Sequence, residues 1–134
     1  MLSFEFRVAG EPVGQGSMKH IGGGRMIASN DKKLKVWRQA IIDAVHQKFL
    51  DIEEVVFFDQ ALKLEVRFCV ERPKTVKRDF PTTPYDLDKQ VRAVGDALTL
   101  SGLISDDAII TDILASKRYG DGCPFGAHIT LSVI

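Results

Sequence analysis

Apolar and polar positions change period along this chain, and the changes mark out its elements. Leu2, Phe4, Phe6 and Val8 alternate with Ser3, Glu5 and Arg7, the two-residue period of a half-buried strand. Over 10–24 the period is lost among Pro12, Gly14, Gly16 and the run Gly22-Gly23-Gly24, which predicts a long connection without regular structure. Ser29 or Asn30 can cap the helix that follows. In it Leu34, Trp37, Ile41, Ala44 and Val45 recur at helical spacing, while Lys33, Lys35, Arg38 and Gln39 fall off the stripe, and it runs to about residue 49.

The strictest alternation in the chain, Leu-Lys-Leu-Glu-Val-Arg-Phe-Cys-Val over 62–70, predicts a second strand. Pro73, Pro81 and Pro84 deny residues 72–85 a ladder or a helix. A second helix is predicted over 87–101, with Leu87, Val91, Val94 and Leu98 on one face and Gly102 as its stop. Residues 109–119 and 125–134 read as two more strands joined by a turn at 120–122. The order βαβαββ predicts one α+β domain over 1–134, with a largely antiparallel four-stranded sheet and two main helices on one of its faces.

Composition narrows the class. A chain of 134 residues with 45% hydrophobic and 27% charged positions has the make-up of a soluble globular protein. No apolar run approaches the roughly 18 residues of a membrane span. Charge inside the opening apolar pattern argues against a signal peptide. Cys69 and Cys123 stand far apart, outside any paired metal-ligand spacing, which fits reduced thiols in a cytoplasm. A formal net charge of zero excludes coating nucleic acid by bulk charge, yet the distribution is uneven. Lys19, Arg25, Lys32, Lys33, Lys35 and Arg38 are opposed only by Asp31, and Arg72, Lys74, Lys77 and Arg78 form a second basic stretch.

Between and beyond these basic stretches lie acids. Asp86 and Asp88 open the second helix, and Asp106-Asp107 follow about twenty residues later in the loop leading to a strand. Two helical residues two apart are separated by about 200° around the axis, so Asp86 and Asp88 can converge only at the helix start. Pro84 delays the helix to near Asp86, which suits an N-cap, and Asp88 then falls in the first turn. Asp88, Arg92 and Asp96 follow at spacing four, a stripe that would face the loop of Asp106 and Asp107. Each acid alone has an ordinary duty as cap, dipole partner, surface ion pair with Arg92, or turn residue. Together they are costly, because carboxylates about 4 Å apart repel by roughly 4 kcal/mol per pair at an effective dielectric near 20. A hard divalent cation relieves that repulsion, and magnesium prefers carboxylates while leaving positions for water and phosphate oxygens.

The run Asp86-Leu87-Asp88-Lys89-Gln90-Val91-Arg92-Ala93-Val94-Gly95-Asp96-Ala97-Leu98, followed by Gly102-Leu103-Ile104-Ser105-Asp106-Asp107-Ala108, resembles the signature of the RusA family of Holliday-junction resolvases. That signature is Asp-x-Asp-Asn, a lysine a few residues on, Asp-Ala-Leu, then Asp-Asp; the match extends to about Lys117. The resemblance implies a small homodimeric endonuclease, frequently encoded by phages and prophages, that nicks four-way DNA junctions with Mg²⁺, for which Mn²⁺ substitutes. Carried over by position, it implies that Asp86, Asp88 and Asp107 bind metal with Asp106 as an auxiliary, and that Arg92 acts at the phosphate. Lys89 stands where the family has asparagine, and Arg92 where it has lysine. Arginine holds phosphate but does not give up a proton near neutral pH.

Lys19, Arg25, Lys32, Lys33, Lys74, Lys77 and Arg78 are candidate contacts to the DNA backbone. Phe80 and Tyr85 are candidates for wedging a branch point, with loop anchoring the competing duty, whereas Trp37 and Phe49 belong to the core face of the first helix. His20, His46 and His128 form no ligand pair, and the glycine runs do not continue into a phosphate-binding Gly-Lys-Ser/Thr. Two other readings stay open at this point. One is an inactive branched-DNA-binding or phage regulatory module of the same fold; the other is a metal-stabilised domain unrelated to DNA.

Overall fold

A computed structural model describes residues 2–16, 18–20, 26–28, 31–120 and 125–134; for 18–20, 26–28 and 31 the backbone alone is described. Arg25, the cap candidates Ser29 and Asn30, Cys123 and the turn residues 121–122 lie outside the described residues.

Strand β1 (Ser3–Ala9) buries every second residue, as its alternation requires. Two three-residue strands, β2 (Met18–His20) and β3 (Met26–Ala28), pair antiparallel. They correct the expectation of a connection without regular structure over 10–24, because a ladder this short is too brief to show a period among glycines. Helix α1 (Asp31–Ile52) buries Leu34, Trp37, Ile41 and Val45, a single stripe, and extends past the expected end near 49. Strand β4 (Leu62–Val70) leads through the proline-rich loop to helix α2 (Leu87–Leu100), which stops at Gly102 with φ +84°. A short 3₁₀ turn (Asp107–Ile109), β5 (Ile110–Tyr119) and β6 (Gly126–Val133) complete the chain.

The main sheet has the order β1-β6-β4-β5. Two of its three pairings are antiparallel, and β4 runs parallel to β5. The α+β class and the largely antiparallel sheet are as expected. The last two strands, however, are not neighbours, since β4 lies between them. A parallel pair needs a long crossover, and α2 supplies it between β4 and β5. As a result β1, β4 and β5 all end at one edge of the sheet, where Gly120 N–H donates to Val70 O at 2.8 Å and Gly10 N–H to Phe125 O at 3.2 Å. Helix α2 begins at that same edge.

Phe4, Phe6 and Val8, then Leu62, Leu64, Val66 and Phe68, and Ile129 and Leu131 form the inner face of the sheet against α1 and α2. Each such side chain contributes about 1.5–3 kcal/mol by leaving water. Glu5, Arg7, Lys63, Glu65, Arg67 and Thr130 occupy the opposite face, so the helices form one layer. No described helix is long and apolar enough to cross a membrane.

Candidate active site

The loop that delivers Asp86 is held from the sheet. Lys117 on β5 donates through Nζ to the carbonyl oxygens of Thr83 (3.1 Å) and Tyr85 (2.8 Å), the residues on either side of Pro84. Asp86 is then extended (φ −63°, ψ 139°) and is the N-cap of α2, with its carbonyl accepting from Lys89 N (3.1 Å) and Gln90 N (3.0 Å). Its carboxylate makes no capping hydrogen bond, so the ordinary duty of an N-cap aspartate is not performed. Asp88, in the first turn, pairs with Lys89 Nζ at 3.3 Å and not with Arg92, and its side chain is 74% exposed, where an ion pair contributes little.

The segment after β1 lies across the start of α2. Gln15 N–H donates to Lys89 O at 2.9 Å, and Gln90 Nε2 donates to Pro12 O at 3.1 Å. Arg38 on α1 reaches Gln15 Oε1 (3.3 Å) and Asp96 Oδ2 (2.7 Å), tying both helices to this segment. Asp96 therefore turns to α1 and does not face the loop of Asp106 and Asp107. Gly16 has φ +154°, and a Cβ there would lie 2.6 Å from Lys89 Cδ and 3.5 Å from Arg92 Nη1. The positive φ favours glycine at this position, whereas the flexible Lys89 side chain could yield to a Cβ. A cavity of about 640 Å³ opens here, lined by Glu11, Gly14, Gly16, Tyr85, Asp86 and Lys89 among others.

At the other end of α2, Phe58 N–H donates to Leu103 O (2.8 Å) and Ser105 N–H to Phe58 O (3.0 Å), which docks the segment leading to the acid pair. The two acids then divide their duties. Asp106 caps the 3₁₀ turn, its Oδ2 accepting from Ala108 N at 3.1 Å. Asp107 lies on α2 at Gly95, where a Cβ would come within 3.3 Å of Asp107 Cβ and 3.6 Å of its Oδ2. Neither Asp86 nor Asp107 makes a side-chain hydrogen bond or ion pair among the described residues.

Seven residues separate Asp88 from Gly95, about 20° short of two full turns and about 10 Å of rise. Asp88, Arg92 and the Gly95 seat of Asp107 thus share one face of α2, with Asp86 at its mouth. This is the juxtaposition the structure makes; Asp106 is turned into its cap. No three His, Cys, Asp or Glu side chains among the described residues are grouped so as to hold an ion by themselves. Magnesium does not require that, since in phosphate-handling sites it is held by one or two carboxylates with water and substrate phosphates filling the shell. Asp86 and Asp107 are hard oxygen donors without protein partners among the described residues, the ligand chemistry such an ion takes, and Gly95 leaves the space that Asp107 fills.

Lys32 and Lys33 are exposed at the start of α1, Lys33 lying 3.6 Å from Glu11. Lys74, Lys77 and Arg78 are exposed on the proline-rich loop, where Arg78 donates to Thr83 Oγ1 at 3.3 Å. The backbone of Lys19 is in β2, and its side chain is not described. Phe80 is 54% exposed with the Arg118 guanidinium 5.0 Å from its ring centre, whereas Tyr85 is half-buried and Trp37 is core. Sequence reading missed Gly95, Lys117 and the Arg38–Asp96 tie. A glycine inside an otherwise good helix was the available signal for the first.

Carboxylates without partners, an arginine on the same helix face and exposed basic segments nearby are the parts of a phosphate-handling site. Residues 9–132 match the RusA family, described as Endodeoxyribonuclease RusA, and the chain belongs to that family of endodeoxyribonucleases. No curated protein matches it.

Proposed function

We propose that the protein is a Mg²⁺-dependent endodeoxyribonuclease that resolves Holliday junctions by paired symmetric nicks in DNA recombination and repair. The reading is supported by two carboxylates that make no hydrogen bond or ion pair among the described residues, Asp86 at the start of α2 and Asp107 against Gly95, with Arg92 at an intervening position of that helix, in a chain of the RusA family. Asp86, Asp88 and Asp107 would hold the metal, with Asp106 assisting through the oxygen its cap leaves unused. When bound, Mg²⁺ supplies an activated water and charge neutralisation for in-line displacement at phosphorus; Mn²⁺ substitutes. Arg92 stays charged at any working pH, so it holds the scissile phosphate and stabilises the charge that develops there, and it shuttles no proton. Lys89 adds positive charge in the cavity it shares with Asp86.

A four-way junction has approximate two-fold symmetry, so a homodimer with one site per subunit delivers the two nicks. Lys32, Lys33, Lys74, Lys77 and Arg78, with Lys19 and Arg25, bind phosphates and orient the arms. The test is a labelled four-way junction incubated with the protein, with and without Mg²⁺. Symmetric nicks that vanish in Asp107→Asn, with binding intact or tighter because a repulsive charge is gone, are the expected outcome. Binding by the unaltered protein without nicks indicates an inactive module, and neither binding nor nicks indicates a domain unrelated to DNA.

A further inference from the structure

Strand β5 has β4 on one side and, among the described residues, no strand on the other. An extra residue, Thr111, interrupts the register between Leu62 and Lys63, after which 112–119 pair one for one with 63–70. Sheets guard their open edges with such bulges, with proline and with charge. The stretch after Thr111 contains no proline, and it leaves two large apolar side chains in water, Ile113 55% and Leu114 60% exposed.

Ile113, Ala115 and Lys117 stand beside Leu64, Val66 and Phe68 and so lie on the inner face, whereas Asp112, Leu114, Ser116 and Arg118 lie on the open face. Opposite charges stand at the two ends of that open-face set. Asp112 accepts from Thr111 Oγ1 at 2.9 Å, and Arg118 donates to Lys117 O at 2.9 Å and lies 5.0 Å from the centre of the Phe80 ring. Neither has an ion-pair partner among the described residues.

We propose that two copies of this chain join edge to edge along β5, antiparallel, about a two-fold axis through Ala115. Residues directly opposite in an antiparallel pair share a face, so the axis must pass through a residue and not between two. At Ala115, the middle of 112–118, it sets Asp112 of each copy opposite Arg118 of the other. Ile113 then meets the apolar stem of Lys117, and Leu114 meets Ser116 with the two Leu114 side chains diagonal to each other, within reach of contact. Moving the axis to Leu114 would set Arg118 against Ile110, beyond the bulge, and Asp112 against Ser116; moving it to Ser116 would carry the position opposite Asp112 past the end of the strand. A second copy is the occupant these charges select, because the two-fold uses each of them twice. The seam also joins the two sites: Lys117, which holds the carbonyls of Thr83 and Tyr85, lies in it, and Asp107 opens the 3₁₀ turn that runs into the strand.

The seam rests on the homodimer of the reading above, and one experiment separates their failures. The full chain is sedimented over a series of concentrations as the parent, as Asp112→Arg, as Arg118→Asp and as the double reversal. Each single reversal sets like charges opposite each other at both ends of the seam and is expected to raise the dissociation constant of the dimer by about tenfold or more, and the double reversal to return it to within a few-fold of the parent. Ala115→Cys, made together with Cys69→Ser and Cys123→Ser, is expected to give a covalent dimer on mild oxidation, because opposed residues stand roughly 4.5–5.5 Å apart at Cα, a distance a disulfide spans. Single reversals that leave dissociation unchanged, a double reversal no tighter than either single, or a dimer that Ala115→Cys fails to cross-link overturns the seam and leaves the homodimer standing. A parent that stays monomeric throughout the series overturns both.

Discussion

Replacing Gly95 by alanine should make the protein more stable and a poorer nuclease, and the opposite signs are what make it informative. Glycine inside a helix is about 1 kcal/mol less favourable than alanine, so α2 gains by the change. The new Cβ would stand 3.3 Å from Asp107 Cβ and 3.6 Å from Oδ2, which requires the aspartate to give way by a few tenths of an ångström. It can do so cheaply, because the 3₁₀ turn that carries it buries no residue. Most of the helix gain should therefore survive, raising the melting temperature by a few degrees. Displacing a reacting group by 1 Å costs about 10²-fold in rate, so a shift of this size should slow nicking by roughly four- to tenfold. The assay pairs thermal melting with single-turnover nicking of a labelled junction at saturating protein and Mg²⁺. A Gly95→Ala protein that is at least as stable as the parent and nicks at the parental rate would refute the placement of Asp107 at the reacting centre.

Other consequences are equally direct. Lys117→Met keeps the side-chain stem but releases the carbonyls of Thr83 and Tyr85, so nicking should fall about tenfold or more while junction affinity in EDTA hardly moves; equal losses in both would make Lys117 a DNA contact and not a positioning residue. Arg38 and Asp96, 2.7 Å apart and partly exposed, should show a coupling of about 0.5–1 kcal/mol in a double-mutant cycle by denaturant unfolding, and a value indistinguishable from zero removes their claim to tie α1 to α2. If the five described basic candidates each neutralise one phosphate, the logarithm of the affinity should fall against that of salt with a slope of about −4.5, and Lys74→Ala should reduce the slope by about one; a flat dependence argues that these residues do not touch the backbone.

What was legible in the sequence, and what was not, follows from which interactions are local. The 62–70 alternation identified β4 because that strand is central and paired on both sides, so one face must be apolar throughout. The stripe of α1 was legible for the same reason: Leu34, Trp37, Ile41 and Val45 all enter one core. β5 gave a softer signal because it is an edge strand; Ile113 and Leu114 point to opposite faces yet are 55% and 60% exposed, so no alternation of burial imposes an alternation of sequence. Nothing local shows that the chain leaving β5 passes beyond β4 before returning as β6, since that choice is decided by β4 taking partners on both edges. The site divides in the same way. Candidate acids and the helix start are written in Pro84, Asp86 and Asp88, but which acid of the Asp106-Asp107 pair is left unengaged depends on how 103–105 docks beside Phe58 and on the missing side chain at Gly95. Local pattern therefore locates the candidate acids, while which of them is left without a partner arises from tertiary contacts.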